Sequence, residues 1–200
     1  MNTEFQEFPK IARLSRECII TEKLDGTNAQ VCITDDGQIH VGSRTRWITP
    51  EQDNYGFARW CQEHRDELLT LGPGRHFGEW WGGGIQRGYG LAKDDKRLSL
   101  FNVSRWCLRG ETPQRMASAD PRVVKYQDVL PLCVGLVPVM YRGMFDTDQC
   151  RLALNHLIAN GSCAAPGYMN PEGIVCFHVA ANIGLKKTIK GDDAPKSLGK

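Results

Sequence analysis

The sequence has no C-x-x-C pair, no H-E-x-x-H and no glycine-rich run that ends in G-K-[ST]. The first two absences argue against a zinc site. The third rejects a Walker-type phosphate loop, which needs that lysine and that hydroxyl. No apolar run approaches the roughly 18 residues that span a bilayer. The opening Met1 to Phe8 is acidic and lacks the basic and apolar regions of a signal peptide. An excess of one charge is also missing. Twenty-five Lys and Arg stand against 23 Asp and Glu, a net +2. That balance neither requires nor excludes nucleic acid, because a basic footprint can be local. The cationic end, Lys186, Lys187, Lys190, Lys196 and Lys200 against Asp192 and Asp193, reads by itself as a solvated tail. These absences lead to the expectation of a cytoplasmic protein with no membrane segment.

What is present is ordinary in bulk and specific in detail. Two hundred residues suit one domain with a real core. Eight cysteines are dispersed, several in apolar segments, as free thiols are in a reducing compartment. Residues 18–24 read as a strand, and 28–34 and 38–43 as a hairpin around Asp35-Asp36-Gly37. Thr49-Pro50-Glu51 reads as a helix start with Thr49 as N-cap. Phe57, Trp60, Cys61, His64 and Leu68 then fall at helical spacing until Gly72. Residues 75–79 and 97–106 read as strands, with a glycine-rich loop over 81–90 between them and a polar, loop-like stretch over 109–122 after them. Residues 132–141 are strand-like, with Pro138 marking an edge or bulge. Thr147 to Asn160 reads as a helix with Cys150, Leu154, Leu157 and Ile158 on one face, ended by Gly161. Two strands near 173–179 and 183–190 close an α+β plan.

Six short elements carry the chemistry. Lys23-Leu24-Asp25-Gly26 lies within Glu22-Lys23-Leu24-Asp25-Gly26-Thr27-Asn28. Ser43-Arg44-Thr45-Arg46 follows at a strand end. Then come Phe77-Gly78-Glu79-Trp80, running into Gly84-Ile85-Gln86-Arg87-Gly88-Tyr89, and Leu100-Phe101-Asn102-Val103. Glu172-Gly173-Ile174-Val175 and Leu185-Lys186-Lys187-Thr188-Ile189-Lys190 are last. Each alone is weak; Lys23 could precede an ordinary D-G turn, and Phe101 has the apolar neighbours of a core residue. Six in this order are specific. Together they resemble the covalent nucleotidyltransferase superfamily of ATP-dependent ligases and capping enzymes, nearest the RNA ligase branch typified by phage T4 RNA ligase 2. The likeness covers about 18–196.

The resemblance implies a single nucleotidyltransferase domain over 1–200. It is an α+β, ATP-grasp-like ligase adenylation domain of antiparallel sheets flanked by helices, with no room for a C-terminal oligonucleotide-binding or helical domain. It implies ATP and Mg2+ or Mn2+ as cofactors, and RNA 5′-phosphate and 3′-hydroxyl ends as partners. Lys23 would be the adenylated nucleophile. Glu22 would contact the nucleotide, Asn28 the nucleotide or the reacting phosphate, Arg44 the ribose or terminal phosphate, and Glu79 the ribose. Phe101 would stack on adenine, Glu172 would bind the divalent metal, and Lys186 would grip the α-phosphate and assist catalysis. The chemistry demands help for Lys23, because only about one lysine in two thousand is neutral at pH 7. Burial and nearby positive charge lower that barrier.

The chain departs from the pattern in three places. A K-x-K ending is replaced by Lys186 with Thr188, Asn102 follows Phe101 where Asp is common, and the chain stops soon after. On a strand, 186, 188 and 190 share a face, which makes Lys190 the candidate replacement for the second lysine. The alternatives are a module that binds ATP or a 5′-phosphate end without turnover, a DNA ligase, or a GTP-dependent capping guanylyltransferase.

Overall fold

The structure, a computed structural model, describes residues 3–116 and 125–191. In chain order its strands are β1 (Glu17–Lys23), β2 (Thr27–Ile33), β3 (Ile39–Gly42), β4 (Trp47–Ile48), β5 (Gly74–Gly82), β6 (Lys96–Leu100) and β7 (Trp106–Cys107). They continue as β8 (Arg115–Met116), β9 (Lys125–Tyr126), β10 (Asp128–Val129), β11 (Val134–Leu136), β12 (Val139–Met144), β13 (Gly173–His178) and β14 (Ile183–Thr188). The α-helices are α1 (Phe57–Glu63), α2 (Arg65–Leu69) and α3 (Thr147–Asn160).

Two sheets dominate. One is four-stranded and wholly antiparallel, in the order β12-β1-β13-β14. The other is six-stranded, in the order β11-β6-β5-β2-β3-β4, with only β11 and β6 parallel. Strand alternation sorts each sheet into two faces. In β2, Ala29, Val31 and Ile33 are buried with Phe57, Cys61 and Leu68 of the first two helices. In β1, Cys18 and Ile20 are buried with Ala153 and Leu157 of α3. The opposite faces, carrying Lys23 on one sheet and Asn28 and Glu79 on the other, define the groove. A third cluster, with Ile19, Leu24, Trp81, Tyr89, Val103 and Val137, joins the sheets at its root.

Several sequence expectations are corrected. The first helix starts at Phe57 rather than near Thr49. Thr49 to Gln52 forms a turn instead, closed by Gln52 N–H to the Thr49 carbonyl. Asp53 supplies the acceptor that Thr49 was expected to give, taking the N–H groups of Ala58 and Arg59 at 2.8 and 3.2 Å. The run also divides at His64 into two helices. The strand expected over 97–106 ends at Leu100. Asn102 then accepts from the Arg105 N–H, turning the chain as Asx residues do. The strand expected over 75–79 continues to Gly82. The 132–141 stretch breaks at Pro138 into β11 and β12, which belong to different sheets. On α3, Cys150, Leu154 and Leu157 pack on the core as expected, with Ala153 beside them, while Ile158 is exposed. The polar run 109–122 lies partly outside the described residues, as do Lys196 and Lys200. Among the described residues no helix is long and apolar enough to cross a membrane.

Candidate active site

Lys23 is the last residue of β1 and pairs with Gly173 of β13. Its Nζ lies 2.5 Å from Oε2 of Glu172, with the lysine side chain 21% exposed and the glutamate 6%. Glu172 immediately precedes β13, so the central strand pair of the smaller sheet presents both groups. Beyond Lys23 the chain must turn across the face of β5. An added Cβ on Gly26 would sit 2.3 Å from the Trp80 carbonyl oxygen, so only glycine fits there. The Gly26 N–H donates to Oε1 of Glu79 at 3.0 Å. The Asp25 N–H donates to the Tyr89 hydroxyl at 2.8 Å, and Arg87 Nε to Oδ2 of Asp25 at 2.7 Å. Arg87 also donates to the Asn170 carbonyl at 3.0 Å. The glycine-rich loop is therefore a clamp on the Asp25-Gly26 turn.

Two connected chambers meet at Lys23. The first has a volume of about 710 Å³ and is largely apolar, with Ile19, Leu100, Phe101, Val137, Val175 and Phe177 in its walls. The second, of about 640 Å³, is polar, with Asn28, Gln30, Ser43, Arg44, Gln86 and Lys186 in its lining. Lys23, Asn28, Phe77, Glu79 and Phe101 line both. The register explains this convergence. Asn28 stands opposite Glu79 across β2 and β5, and Val175 stands opposite Lys186 across β13 and β14. Arg44 sits in the turn between β3 and β4, which Ser43 closes by donating from its N–H to the Arg46 carbonyl. Phe101 follows β6, its N–H donating to the Phe77 carbonyl at 2.9 Å.

Glu22 lines the apolar chamber, but alternation turns its carboxylate to the other face of the sheet. There it accepts from Ser162 Oγ at 2.6 Å and from the N–H groups of Cys163 and Ala164 at 2.8 and 3.0 Å. Burial pushes its carboxyl above the ordinary range, and those three donors pull it back in part. Burial likewise raises Glu79 to about 7; the Gly26 N–H and Lys23 oppose the rise, and the nearby charges of Glu172 and Asp25 add to it. Lys190 lies past the end of β14, so the strand alternation expected to bring it alongside Lys186 stops short of it.

Among the described residues no three His, Cys, Asp or Glu side chains form a metal-binding group. One buried carboxylate beside the groove would suit Mg2+ or Mn2+, which complete their shells with phosphate oxygens and water. Glu172 offers that one hard oxygen donor. The sequence shows Arg87 and Tyr89 only as members of a motif and gives no site role to Gln30 or Val175. The signal for the first two was their position in the motif that also supplies Glu79.

The fold has counterparts among solved structures. A Naegleria gruberi RNA ligase variant solved with ATP and Mn matches 88% of this chain with a TM-score of 0.57 at 16% identity. Variants of that ligase solved with AMP and Mn, and apo, match with TM-scores of 0.54 and 0.53 at 18% and 19% identity, over 88% and 87% of this chain. The matches cover 51%, 50% and 50% of those proteins, so this chain spans about half their length. An α+β fold of mainly antiparallel sheets with few helices is thus shared with RNA ligase structures. No curated protein sequence matches the chain. Residues 16–190 match the RNA ligase family, and the chain belongs to that family.

Proposed function

We propose that this chain is an ATP-dependent RNA ligase of the covalent nucleotidyltransferase type, its nucleotidyltransferase domain formed by residues 1–200. The observation that carries the reading is Lys23, placed where an apolar chamber and a cationic chamber meet and paired to buried Glu172. The apolar chamber suits a purine, with Phe101 and Val175 in its walls. The polar chamber suits phosphates, with Arg44 and Lys186 in its lining. Glu79 and Asn28, shared by both, suit the ribose between them. In the first step Lys23 Nζ attacks the α-phosphorus of ATP. A P–N bond forms, the P–O bond to the β-phosphate breaks, and pyrophosphate leaves while the amine loses its proton. A 5′-phosphate oxygen next displaces Lys23 from that phosphorus, so the adenylate moves to the RNA end. A 3′-hydroxyl then attacks the 5′-phosphorus and expels AMP.

Positioning and charge neutralisation do most of the work in phosphoryl transfer. Here they fall to the Arg87–Asp25 clamp, Arg44 and Lys186. Mg2+ or Mn2+ on Glu172 would supply charge neutralisation at the phosphates. Eight free thiols suit the reducing cytoplasm.

The test is intact-protein and peptide mass spectrometry after incubation with ATP and Mg2+ or Mn2+. One acid-labile adenylate on the Lys23 peptide, absent in Lys23→Ala, is the expected result. ATP binding without any adduct would overturn the enzyme in favour of a binding module. An adduct formed only from GTP would overturn ATP as the substrate.

A further inference from the structure

The groove face of the larger sheet continues well beyond the nucleotide site. Its residues are Asn28, Gln30 and Cys32 from β2, His40 and Gly42 from β3, Trp47 from β4, and Arg75, Phe77 and Glu79 from β5. One hydrogen-bonded row crosses it: Phe77 opposite Gln30, Gln30 opposite Gly42, and Gly42 opposite Trp47. Three inter-strand steps of about 4.8 Å make this row about 14 Å long. Both ends are aromatic and half exposed, Phe77 at 51% and Trp47 at 50%. Trp47 lies on the sheet because Gly42 has no side chain; a Cβ there would be 3.2 Å from the indole ring. Arg75 stands over the indole at 5.5 Å, and His40 flanks it at 5.8 Å between ring centroids. At the centre is Gln30 Nε2, the one buried side-chain nitrogen or oxygen among the described residues without a hydrogen-bond partner. A buried donor left unpaired costs free energy, and a ligand that accepts from it removes that cost.

We propose that this row is the track for a single-stranded RNA segment leading to Lys23, a proposal that rests on the ligase reading of the same groove. Two bases stack on Phe77 and Trp47, and a base or ribose acceptor between them takes the Gln30 N–H. Arg75 and the exposed Arg44 and Arg46 face the phosphates. Stacking platforms interleaved with cations are how proteins hold single strands without reading sequence. Charge complementarity favours a polyanion, since Glu79 is the only acid at these face positions and it lies at the nucleotide end. Continuity favours it too, because Gln30, Arg44 and Phe77 line the same chamber as Lys23 and Lys186.

The test is fluorescence anisotropy with a short 5′-phosphorylated single-stranded RNA, alongside adenylate mass on Lys23 in the same samples. Trp47→Ala should weaken RNA binding about 5- to 100-fold, the range of one lost base stack. Trp47→Phe, which keeps a ring, should restore most of it. Gln30→Leu, similar in size without the donor, should weaken binding about 3- to 10-fold. Trp80, Trp81 and Trp106 are buried, and Trp60 packs on the helix-covered side with Phe57 and Trp80, so RNA on the groove face should quench Trp47, and Trp47→Phe should remove that quenching. Lys23 adenylation should persist in Trp47→Ala. Unchanged RNA affinity in Trp47→Ala, or the same loss on a blunt duplex without a single-stranded end, would overturn the track. If the parent forms no adenylate yet Trp47→Ala loses RNA, the reaction fails and the track stands.

Discussion

At the scale of single residues, the site depends as much on what holds Lys23 as on Lys23 itself. Arg87 reaches from the glycine-rich loop to Asp25 and, with its other nitrogen, to the Asn170 carbonyl. It touches neither Lys23 nor Glu172, so it acts through the turn. Arg87→Ala should lower the rate of lysine adenylation about 10- to 100-fold, the usual cost of a small misplacement of a reacting group. Stability should change by less than about 1 kcal/mol, because the ion pair is partly exposed. Single-turnover labelling and urea unfolding of the same variant read these two quantities separately. An equal fall in both would make Arg87 a structural residue only. This role was only partly legible: Arg87 was visible within a motif, but a partner 62 positions away is set by tertiary packing, which motif spacing does not encode.

At the scale of elements, legibility follows periodicity. The first hairpin stands out because alternation and the Asp36-Gly37 turn agree. The start of α1 was misplaced because Thr49-Pro50-Glu51 is a good local start signal that a tertiary requirement overrides. The chain first has to bring Asn54 to Thr27, which it does through an amide-to-hydroxyl hydrogen bond of 2.9 Å. On α3 the expected face holds for Cys150, Leu154 and Leu157 and fails at Ile158. Leu157 is fully buried against Cys18, Ile20 and Ile174, whereas Ile158 faces solvent. Leu157→Ala should therefore cost about 2–5 kcal/mol, and Ile158→Ala less than about 0.5 kcal/mol. Urea midpoints of the two variants check the assignment. Of the site, Lys23, Glu79, Arg44, Phe101, Glu172 and Lys186 were named from sequence, and the fold gathers them in or beside one groove. The side to which Glu22 turns required the strand register. The Trp47 platform required knowing that β4 returns alongside Gly42.

At the scale of the whole molecule, buried acids tie stability to pH. Burial raises Glu79 to about 7 and moves Glu22 in the same direction. A carboxyl whose folded value is raised holds its proton more tightly in the folded state. Its stabilising contribution is thus complete below the ordinary value of about 4.5 and lost as pH rises through about 7. Urea midpoints should accordingly decline from about pH 5 to about pH 7.5, and Glu79→Gln should flatten much of that decline. A midpoint that rises with pH in the parent and is unaltered in Glu79→Gln would contradict the assignment. The break at Pro138 has a mechanical corollary. The Val137 N–H donates to the Leu100 carbonyl of the larger sheet, and the carbonyl of the next residue, Pro138, accepts from the Glu22 N–H of the smaller one. Adjacent links of one chain thus rivet the two walls together, one residue from Lys23. A hinge at that rivet would leave Lys23 nearly still while the lips bearing Arg44 and Lys186 travelled farthest.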